Sequence, residues 1–283
     1  MSSLSISLVV HHTDPAVLGR TLHSLVLAVE AARQSGVLEA VSLLVIQNDD
    51  GPAPDVSAAA ELKPILAAGH GNPGYGAGHN RALRVSGSDF HLVLNPDVLL
   101  AADALLQGLQ YLRDNPRVAA LSPYAEDAQG QRQYLCKRYP AVLDFLLRGF
   151  APVWLQRRFA RRLAWYAMED LDLNLNLDLG MHSARAHTGI PIISGCFMLF
   201  RTPVLRRLGG FDEDYFLYFE DFDLSLRVHA LDTQDGLAND LAFVPAVRIV
   251  HLGGHSARKG WRHIAWFVRS GLRFYRRWGW RLW

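Results

Sequence analysis

Cysteine is scarce in this chain: its 283 residues include two, Cys136 and Cys196, far apart in sequence. They supply neither a disulfide framework nor the close spacing of a structural metal site. The scarcity fits a reducing compartment. No apolar run reaches the about 20 residues that cross a bilayer. Met1 to Leu4 has no basic stretch and leads straight into a strand pattern, unlike a secretion signal. A cytoplasmic protein is the expectation. Acid is absent beyond Asp240, where nine Arg and Lys residues follow, although the whole chain has a net charge of only +2. No G-x-G-x-x-G follows the first strand pattern, which argues against a dinucleotide cofactor. Residues 11 to 20 hold one basic residue, Arg20. A nucleotidyltransferase would need a basic glycine-rich loop there for a triphosphate. The length suits one large α/β domain or two small ones.

What the chain does hold is a dense acidic stretch. Asp212, Glu213, Asp214, Glu220, Asp221 and Asp223 lie within a dozen residues, with Tyr215-Phe-Leu-Tyr-Phe219 between them. A solvated acidic run has no use for five such residues. A buried element cannot hold six unpaired carboxylates. The pattern fits a cleft wall, with aromatics packed inward and Glu220-Asp221 projecting into a site. Helix capping explains Asp212 to Asp214 equally well, and Glu220-Asp221 less well.

Ile6 to Val10 and Val41 to Ile46 read as buried parallel strands around a helix marked by Leu18, Leu22, Leu25, Val26 and Val29. Thr13 or Asp14 can cap that helix, and Pro15 fits its first turn. Polar residues end both strands. That order is a Rossmann-like nucleotide-binding half, whose ligand lies beyond the strands' carboxyl ends. Asn72 to Asn80 spaces glycines at 74, 76 and 78, which lets backbone approach a ligand. Arg81 to Val85 continues as helix, so Asn80 is expected near its N-terminus, where anions are favoured. A strand from His91 ends in Asn95-Pro96-Asp97. One carboxylate held there suits a divalent ion bridging a diphosphate. An Asx turn before a helix over 102–113 is the plainer alternative.

Further strands run over 190–200 and 242–251. Ser194-Gly195 allows close backbone approach, and His251 ends the last strand as a metal or phosphate partner. Residues 145–163 alternate apolar and basic groups, like an amphipathic helical pair at an anionic surface or a solvated basic face. Leu171 to Leu179 alternates leucine with Asp or Asn, and no function attaches to it. Five of the seven tryptophans lie after residue 260, among eight Arg and Lys from Arg258 onward. This 257–283 segment reads as a basic amphipathic helix. Ile264, Phe267, Val268, Leu272 and Tyr275 form its inward stripe. Either the segment simply packs on the domain through this stripe, or the tip from Arg273 to Trp283 is in addition free to bind an anionic membrane surface.

Taken together, these motifs resemble the inverting glycosyltransferases of family two, in the rhamnosyltransferase-like branch that builds O-antigen, part of lipopolysaccharide, and other cell-surface polysaccharides. The matching features are Val9-Val10, Asn48, Asn72-x-Gly-x-Gly-x-Gly-x-Asn80, Leu94-Asn-Pro-Asp-Val98, Ser194-Gly195, Gly209-Gly-Phe-Asp-Glu213, Tyr218-Phe-Glu-Asp-Phe-Asp-Leu224 with Arg227, and His251-x-Gly-Gly-x-Ser256. Their order covers nearly the whole chain. The resemblance implies the α/β GT-A fold: a nucleotide-sugar-binding half (about 1–125) and an acceptor half (126–256) around one mixed, mostly parallel sheet. The C-terminal helix follows.

The resemblance also implies roles. Asp221 is the catalytic base, with Glu220 beside it. Val10, His11, Asn48, Gly74, Gly76, Gly78, Asn80, Asn95 and Asp97 hold the nucleotide sugar. Gly195, Asp212, Glu220 and Asp223 meet the acceptor. Asp97 and His251 hold Mg2+ or Mn2+. Asn95 stands where the family's D-x-D motif usually opens with an acid. Gln47 and His11-His12 also depart from the common pattern. The implied donor is a nucleoside-diphosphate sugar, dTDP-L-rhamnose first. The acceptor is a glycan or lipid-linked hydroxyl at the inner face of the cytoplasmic membrane, and no nucleic acid is expected as partner. A nucleotidyltransferase and a non-catalytic cation-binding module are the competing readings.

Overall fold

The computed structural model describes the chain apart from residues 1, 175–184, 232–235, 237 and 254–259. Most of the Leu171 to Leu179 alternation falls outside the described residues. So do His255 and Ser256 of the last motif, and Arg258 and Lys259.

Strand β1 (Ser2–Val10) leads through helix α1 (Pro15–Gln34) to β2 (Leu38–Gln47). Asp14 caps α1, its carboxylate accepting from the Ala16 and Val17 N–H groups, and Pro15 opens the first turn. Next come β3 (Ile65–Ala67), α2 (Tyr75–Val85), β4 (Phe90–Leu94), β5 (Val98–Leu100), α3 (Ala104–Asp114) and β6 (Val118–Glu126). Short strands β7 (Arg132–Gln133) and β8 (Cys136–Lys137) precede α4 (Val142–Phe150), α5 (Val153–Arg158) and α6 (Ala160–Tyr166). Then follow β9 (His187–Thr188), β10 (Ile192–Ile193), β11 (Phe197–Arg201), α7 (Thr202–Arg207), α8 (Glu220–His229), β12 (Asp240–His251) and α9 (Trp261–Trp278).

The main sheet runs β3-β2-β1-β4-β11-β6-β12-β5. Its first four strands are mutually parallel. β11 runs antiparallel to β4 and β6, and β6 and β12 are parallel. The two halves expected on either side of residue 125 therefore share one sheet. β6 pairs with β12, and β11 joins β6 to β4. Cys136 and Cys196 are buried free thiols. No helix among the described residues is long and apolar enough to cross a membrane.

β1 is less uniform than an apolar run. Leu4, Ile6, Leu8 and Val10 belong to the core beneath α1 and α3. Ser5 and Ser7, pointing the other way, are also fully buried. They satisfy two buried histidines. Ser5 Oγ lies 2.7 Å from His91 Nδ1, and Ser7 Oγ lies 2.9 Å from His91 Nε2 and 2.7 Å from His79 Nδ1. Burial pushes the His91 imidazole down to about 4, and burial with His91 nearby pushes His79 well below its usual range.

α9 is not a separate tail. Its inward residues are Phe267, Ser270, Gly271, Phe274, Tyr275 and Trp278; Ile264, Val268 and Leu272, expected inside, are exposed. The reason is Gly271, where a Cβ would sit 3.3 Å from the Phe219 ring. The helix can approach closely only on that face, and hydropathy does not reveal it. The tip expected to be free is also fastened. Arg281 and Leu282 carbonyls accept from the Val142 and Leu143 N–H groups, and Tyr139 Oη donates to the Gly279 carbonyl.

The Ser–His network sets a pH dependence. Both histidines are held neutral when folded and protonate freely when unfolded, so their contribution is intact above about pH 6.5 and is lost as pH falls toward 4. Melting temperature should drop over that window, at about 1.4 kcal/mol per pH unit for each histidine. His91→Gln should flatten the slope while lowering stability at pH 7.5. A wild-type slope of zero between pH 6.5 and 4.5 would contradict the assignment.

Candidate active site

The carboxyl ends of β1, β2 and β4 open on a cleft of about 550 Å³. Val9, His11, Asn48, Gly74, Tyr75, Asn95 and Asp97 line it, with Phe216, Leu217, Gly253, His263 and Trp266. α2 begins at its wall. Glycine is needed at position 74 twice over: its φ is 102°, and a Cβ would lie 2.5 Å from the Phe216 carbonyl oxygen. The first turn of α9 supplies the roof. The Phe216 and Trp266 rings lie 4.7 Å apart, and Tyr218 Oη meets His263 Nδ1 at 3.1 Å.

At the floor, Asp97 Oδ1 is buried without a hydrogen-bond partner among the described residues, 3.5 Å from His251 Nε2. Gln133 fixes the histidine. Its amide nitrogen donates to the carbonyls of His251 (3.1 Å) and Gly253 (3.4 Å), so its oxygen is turned to His251 Nδ1 at 2.8 Å. An amide oxygen only accepts, so Nδ1 carries the proton. The Nε2 lone pair of the neutral ring then faces a carboxylate oxygen, two acceptors opposed. A proton or a cation between them resolves the conflict. The pair thus fits a divalent ion, with remaining positions left to phosphate oxygens or water. Gly253 is required beside it, because a Cβ there would strike Asp97 Oδ2.

The acid pair stands at the N-terminus of α8. Tyr218 and Phe219 before it both adopt left-handed backbone, φ 69° and 65°. Neither is glycine, so the conformation costs about 1–3 kcal/mol at each. Phe219 is held among Phe145, Phe222, Phe267 and Phe274, with ring centroids 5.1 to 5.5 Å away. Asp221 Oδ2 accepts from the Gly195 N–H and Oδ1 from its own neighbour Phe222 N–H, each at 2.9 Å. Glu220 Oε2 is buried with no hydrogen-bond partner among the described residues. Burial raises both carboxyls, and Asp221 raises Glu220 further. Asp221, with its two N–H donors, is the better stabilised of the two as an anion.

Several expected residues lie elsewhere. Val10 packs in the core, and Val9 takes its place at the cleft. Gly76 and Gly78 lie inside α2, not in a loop. A Cβ on Gly76 would meet Phe211 at 2.6 Å, and one on Gly78 would meet Val9 at 2.8 Å. They permit protein packing and do not line the cleft. α2 starts at Tyr75, so Asn80 is in its second turn and not at its end. Its amide brackets Phe211, donating to the carbonyl and accepting from the N–H, both at 2.9 Å. Asp212 and Asp223 are ion-paired structural acids. Asp212 meets Arg273 and Arg277; Asp223 meets Arg227 at 2.7 Å, Arg277 at 3.2 Å and the Trp278 N–H at 2.9 Å. Asn48 lines the cleft, but its amide already donates to the Gly74 carbonyl at 2.9 Å. Gly195, expected to meet the acceptor, lies beside Asp221 and donates its N–H to that carboxylate. Tyr75, Phe216, His263 and Trp266 were not singled out as cleft residues. The signal available for Tyr75 was its place inside the glycine motif.

Residues 6–265 match the sequence profile of Glycosyltransferase like family 2. Rhamnosyltransferase WbbL of Escherichia coli (strain K12) is 26% identical over 212 residues, covering 71% of this chain and 70% of that protein. An N-acetylglucosaminyl-diphospho-decaprenol L-rhamnosyltransferase of Mycobacterium tuberculosis (strain CDC 1551 / Oshkosh) is 28% identical over 198 residues. That match covers 65% of this chain and 57% of the mycobacterial protein, so the chain spans little more than half of that relative. Among solved structures, GalNAc-T7 with UDP, GalNAc and Mn2+ superposes with a TM-score of 0.61 at 13% identity, over 92% of this chain and 44% of that one. Mannosyltransferase PcManGT from Pyrobaculum calidifontis, in complex with GDP-Man and Mn2+, gives 0.54 at 16% identity, over 93% and 59%. These superpositions establish the GT-A fold expected from the sequence.

The Glu220 environment sets a stability difference. Its folded pKa lies above its unfolded one, so its contribution is full below about pH 4.5 and is lost as pH rises. Glu220→Gln is permanently neutral and escapes that loss. The variant should melt higher than wild type at pH 8, with the gap closing toward pH 5. A variant that melts lower at pH 8 would show that Glu220 is stabilised as an anion.

Proposed function

The chain belongs to glycosyltransferase-like family 2, and from that premise we propose that it transfers a sugar, with inversion, from a nucleoside diphosphate to an acceptor hydroxyl. The donor is dTDP-L-rhamnose. The rhamnosyltransferase names of the relatives support the sugar. The acceptor is a lipid-linked glycan of cell-surface polysaccharide synthesis such as O-antigen, supported by the diphospho-decaprenol in the mycobacterial relative's name.

The observation that carries the reading is the Asp97 oxygen without a hydrogen bond, opposite His251 Nε2 at the cleft floor. These two residues would hold Mg2+ or Mn2+. The two GT-A neighbours were solved with Mn2+. Such an ion, when bound, neutralises charge developing on the leaving diphosphate. His11, Gly74 and Asn95 bind the donor. Asp221 takes the proton from the acceptor oxygen as that oxygen attacks the anomeric carbon from the face opposite the diphosphate. Glu220, protonated, keeps a second negative charge away from the Asp221 carboxylate. The carbon–oxygen bond to the diphosphate breaks, and the transition state is oxocarbenium-like.

Release of nucleoside diphosphate from a panel of nucleotide sugars tests the reading. Asp221→Asn should lower turnover by about two to four orders of magnitude with nucleotide affinity nearly unchanged. Asp97→Ala should weaken donor binding and abolish its response to Mg2+ or Mn2+. Turnover of Asp221→Asn within a few-fold of wild type, or an unchanged metal response in Asp97→Ala, would overturn the respective role.

A lipid-linked acceptor brings the protein to the inner face of the cytoplasmic membrane as a peripheral partner of anionic lipid. The support lies on the outward face of α9, not at its tip. Trp261, Ile264, Val268 and Leu272 are exposed on one stripe, at 77%, 47%, 50% and 40%. Exposed Arg269 and Arg276 flank it, and the helix carries no acid. Tryptophan suits the interface, and each basic residue near an anionic leaflet contributes about 1 kcal/mol. Trp261→Ser with Val268→Asp should cut co-sedimentation with anionic vesicles by about tenfold or more, since two apolar contacts are lost. Equal pelleting of variant and wild type would remove the anchor.

A further inference from the structure

Tyr75 connects two parts of the site. Its hydroxyl lies 2.6 Å from the Gly195 carbonyl and 3.0 Å from the Asn95 side-chain oxygen position. Gly195 in turn donates its N–H to Asp221 Oδ2. One residue thus holds a cleft-lining amide with one contact and, with the other, the peptide that anchors the Asp221 carboxylate. The backbone repeats the link, because the Asn95 N–H donates to the Cys196 carbonyl at 2.9 Å.

The ring cannot drift. It packs edge-on against His79, with centroids 4.5 Å apart, and Phe211 lies at 6.1 Å. Its own N–H donates to the Phe216 carbonyl at 3.0 Å. Gly195 is wedged between this ring and the acid: a Cβ there would lie 3.3 Å from the Tyr75 ring and 3.4 Å from Asp221 Cβ. Burial keeps the phenol protonated, with Glu220 adding to the effect.

A phenol has one proton. The shorter contact, to the Gly195 carbonyl, takes it. Asn95 can then bond the phenol oxygen only by turning its amide so that the NH2 donates, since its oxygen would oppose another acceptor. That orientation leaves the Asn95 carbonyl oxygen free to accept from a hydroxyl in the cleft.

We propose that Tyr75 is a positioning residue whose hydroxyl couples occupation of the donor cleft at Asn95 to the placement of Asp221 through Gly195. A donor hydroxyl bound by Asn95 fixes the amide, the amide fixes the phenol, and the phenol fixes the Gly195 peptide against the acid. The coupling rests on the transfer reaction proposed above.

Tyr75→Phe keeps the ring and removes only the hydroxyl. Nucleoside diphosphate binding by calorimetry should stay within about twofold, because the nucleotide's other contacts are intact. Turnover should fall about tenfold, the scale of one lost hydrogen bond, with the donor KM changing less than about threefold. A purely structural role would move melting temperature and nucleotide affinity together. Asn95→Ala also removes a donor contact, so in the Tyr75→Phe background it should raise the donor KM while adding little to the loss of turnover at saturating donor, since both act on one connection. Gly195→Ala is the second probe. Its methyl separates the ring from Asp221, and it should lower turnover similarly and add little in the Tyr75→Phe background. Turnover of Tyr75→Phe within twofold of wild type would overturn the proposal, as would losses that multiply in the double variants. If wild type releases no nucleoside diphosphate from any nucleotide sugar, the transfer reaction itself fails. Wild-type release with a fully active Tyr75→Phe sinks the coupling alone.

Discussion

Two bulky residues in left-handed backbone decide where the acid pair points. Tyr218 and Phe219 would relax toward ordinary conformations if nothing held them, and Glu220 and Asp221 would turn with them. What holds them is α9. Phe267 and Phe274 enclose the Phe219 ring, Gly271 lets the helix come close enough to do so, and His263 meets the Tyr218 hydroxyl. Each aromatic contact contributes about 0.5–1.5 kcal/mol beyond the area it buries. Several together offset the backbone strain. The same helix roofs the cleft with Trp266, so one packing event shapes both ends of the site.

Partners divide the acidic stretch into two kinds of residue. Asp212 and Asp223 are neutralised by arginines, and Asp223 is also capped by the Trp278 N–H. Buried charge matched in this way holds α8 and α9 in register. Among the described residues Glu220 and Asp221 have no basic partner, and Asp221 receives only backbone N–H groups. Their neighbouring carboxyls cannot both ionise cheaply in a buried setting, so one proton stays with the pair. The sequence shows six similar acids; Arg227, one turn along α8, and Arg273 and Arg277 on α9 sort them.

Much of the fold was legible in the chain. Strand ends, a cap at Thr13 or Asp14 and the acid pair were readable because each rests on local periodicity or on a short motif; the single mixed sheet followed from the family resemblance. Asp97, His251, Gly195 and Asp221 were marked by strand-end or helix-start positions, and the structure brings them to one region. The glycine motif misled in a physical way. Alternating glycines suggest an open loop, but Gly76 and Gly78 lie in α2, where Phe211 and Val9 leave no room for a Cβ. Asn80 followed the same error, since shifting the helix start moves it from an end to the interior. On α9, Phe267 and Tyr275 face inward as expected, but Ile264, Val268 and Leu272 face out, because both faces of the helix are apolar. Only the small Ser270-Gly271 step distinguishes the packed one, and hydropathy gives small residues little weight. Tyr75 escaped notice because its importance lies in partners 20 and 120 positions away.

The position of α9 in the chain has a consequence for biosynthesis. Sheet, cleft floor and both acidic motifs leave the ribosome before the helix that roofs the cleft and aims the acid pair. A nascent chain with its sheet already folded still has an open cleft and an unstrained Tyr218-Phe219. The site is therefore assembled last. Until α9 docks, a bound sugar nucleotide would face water without an organised acid beside it.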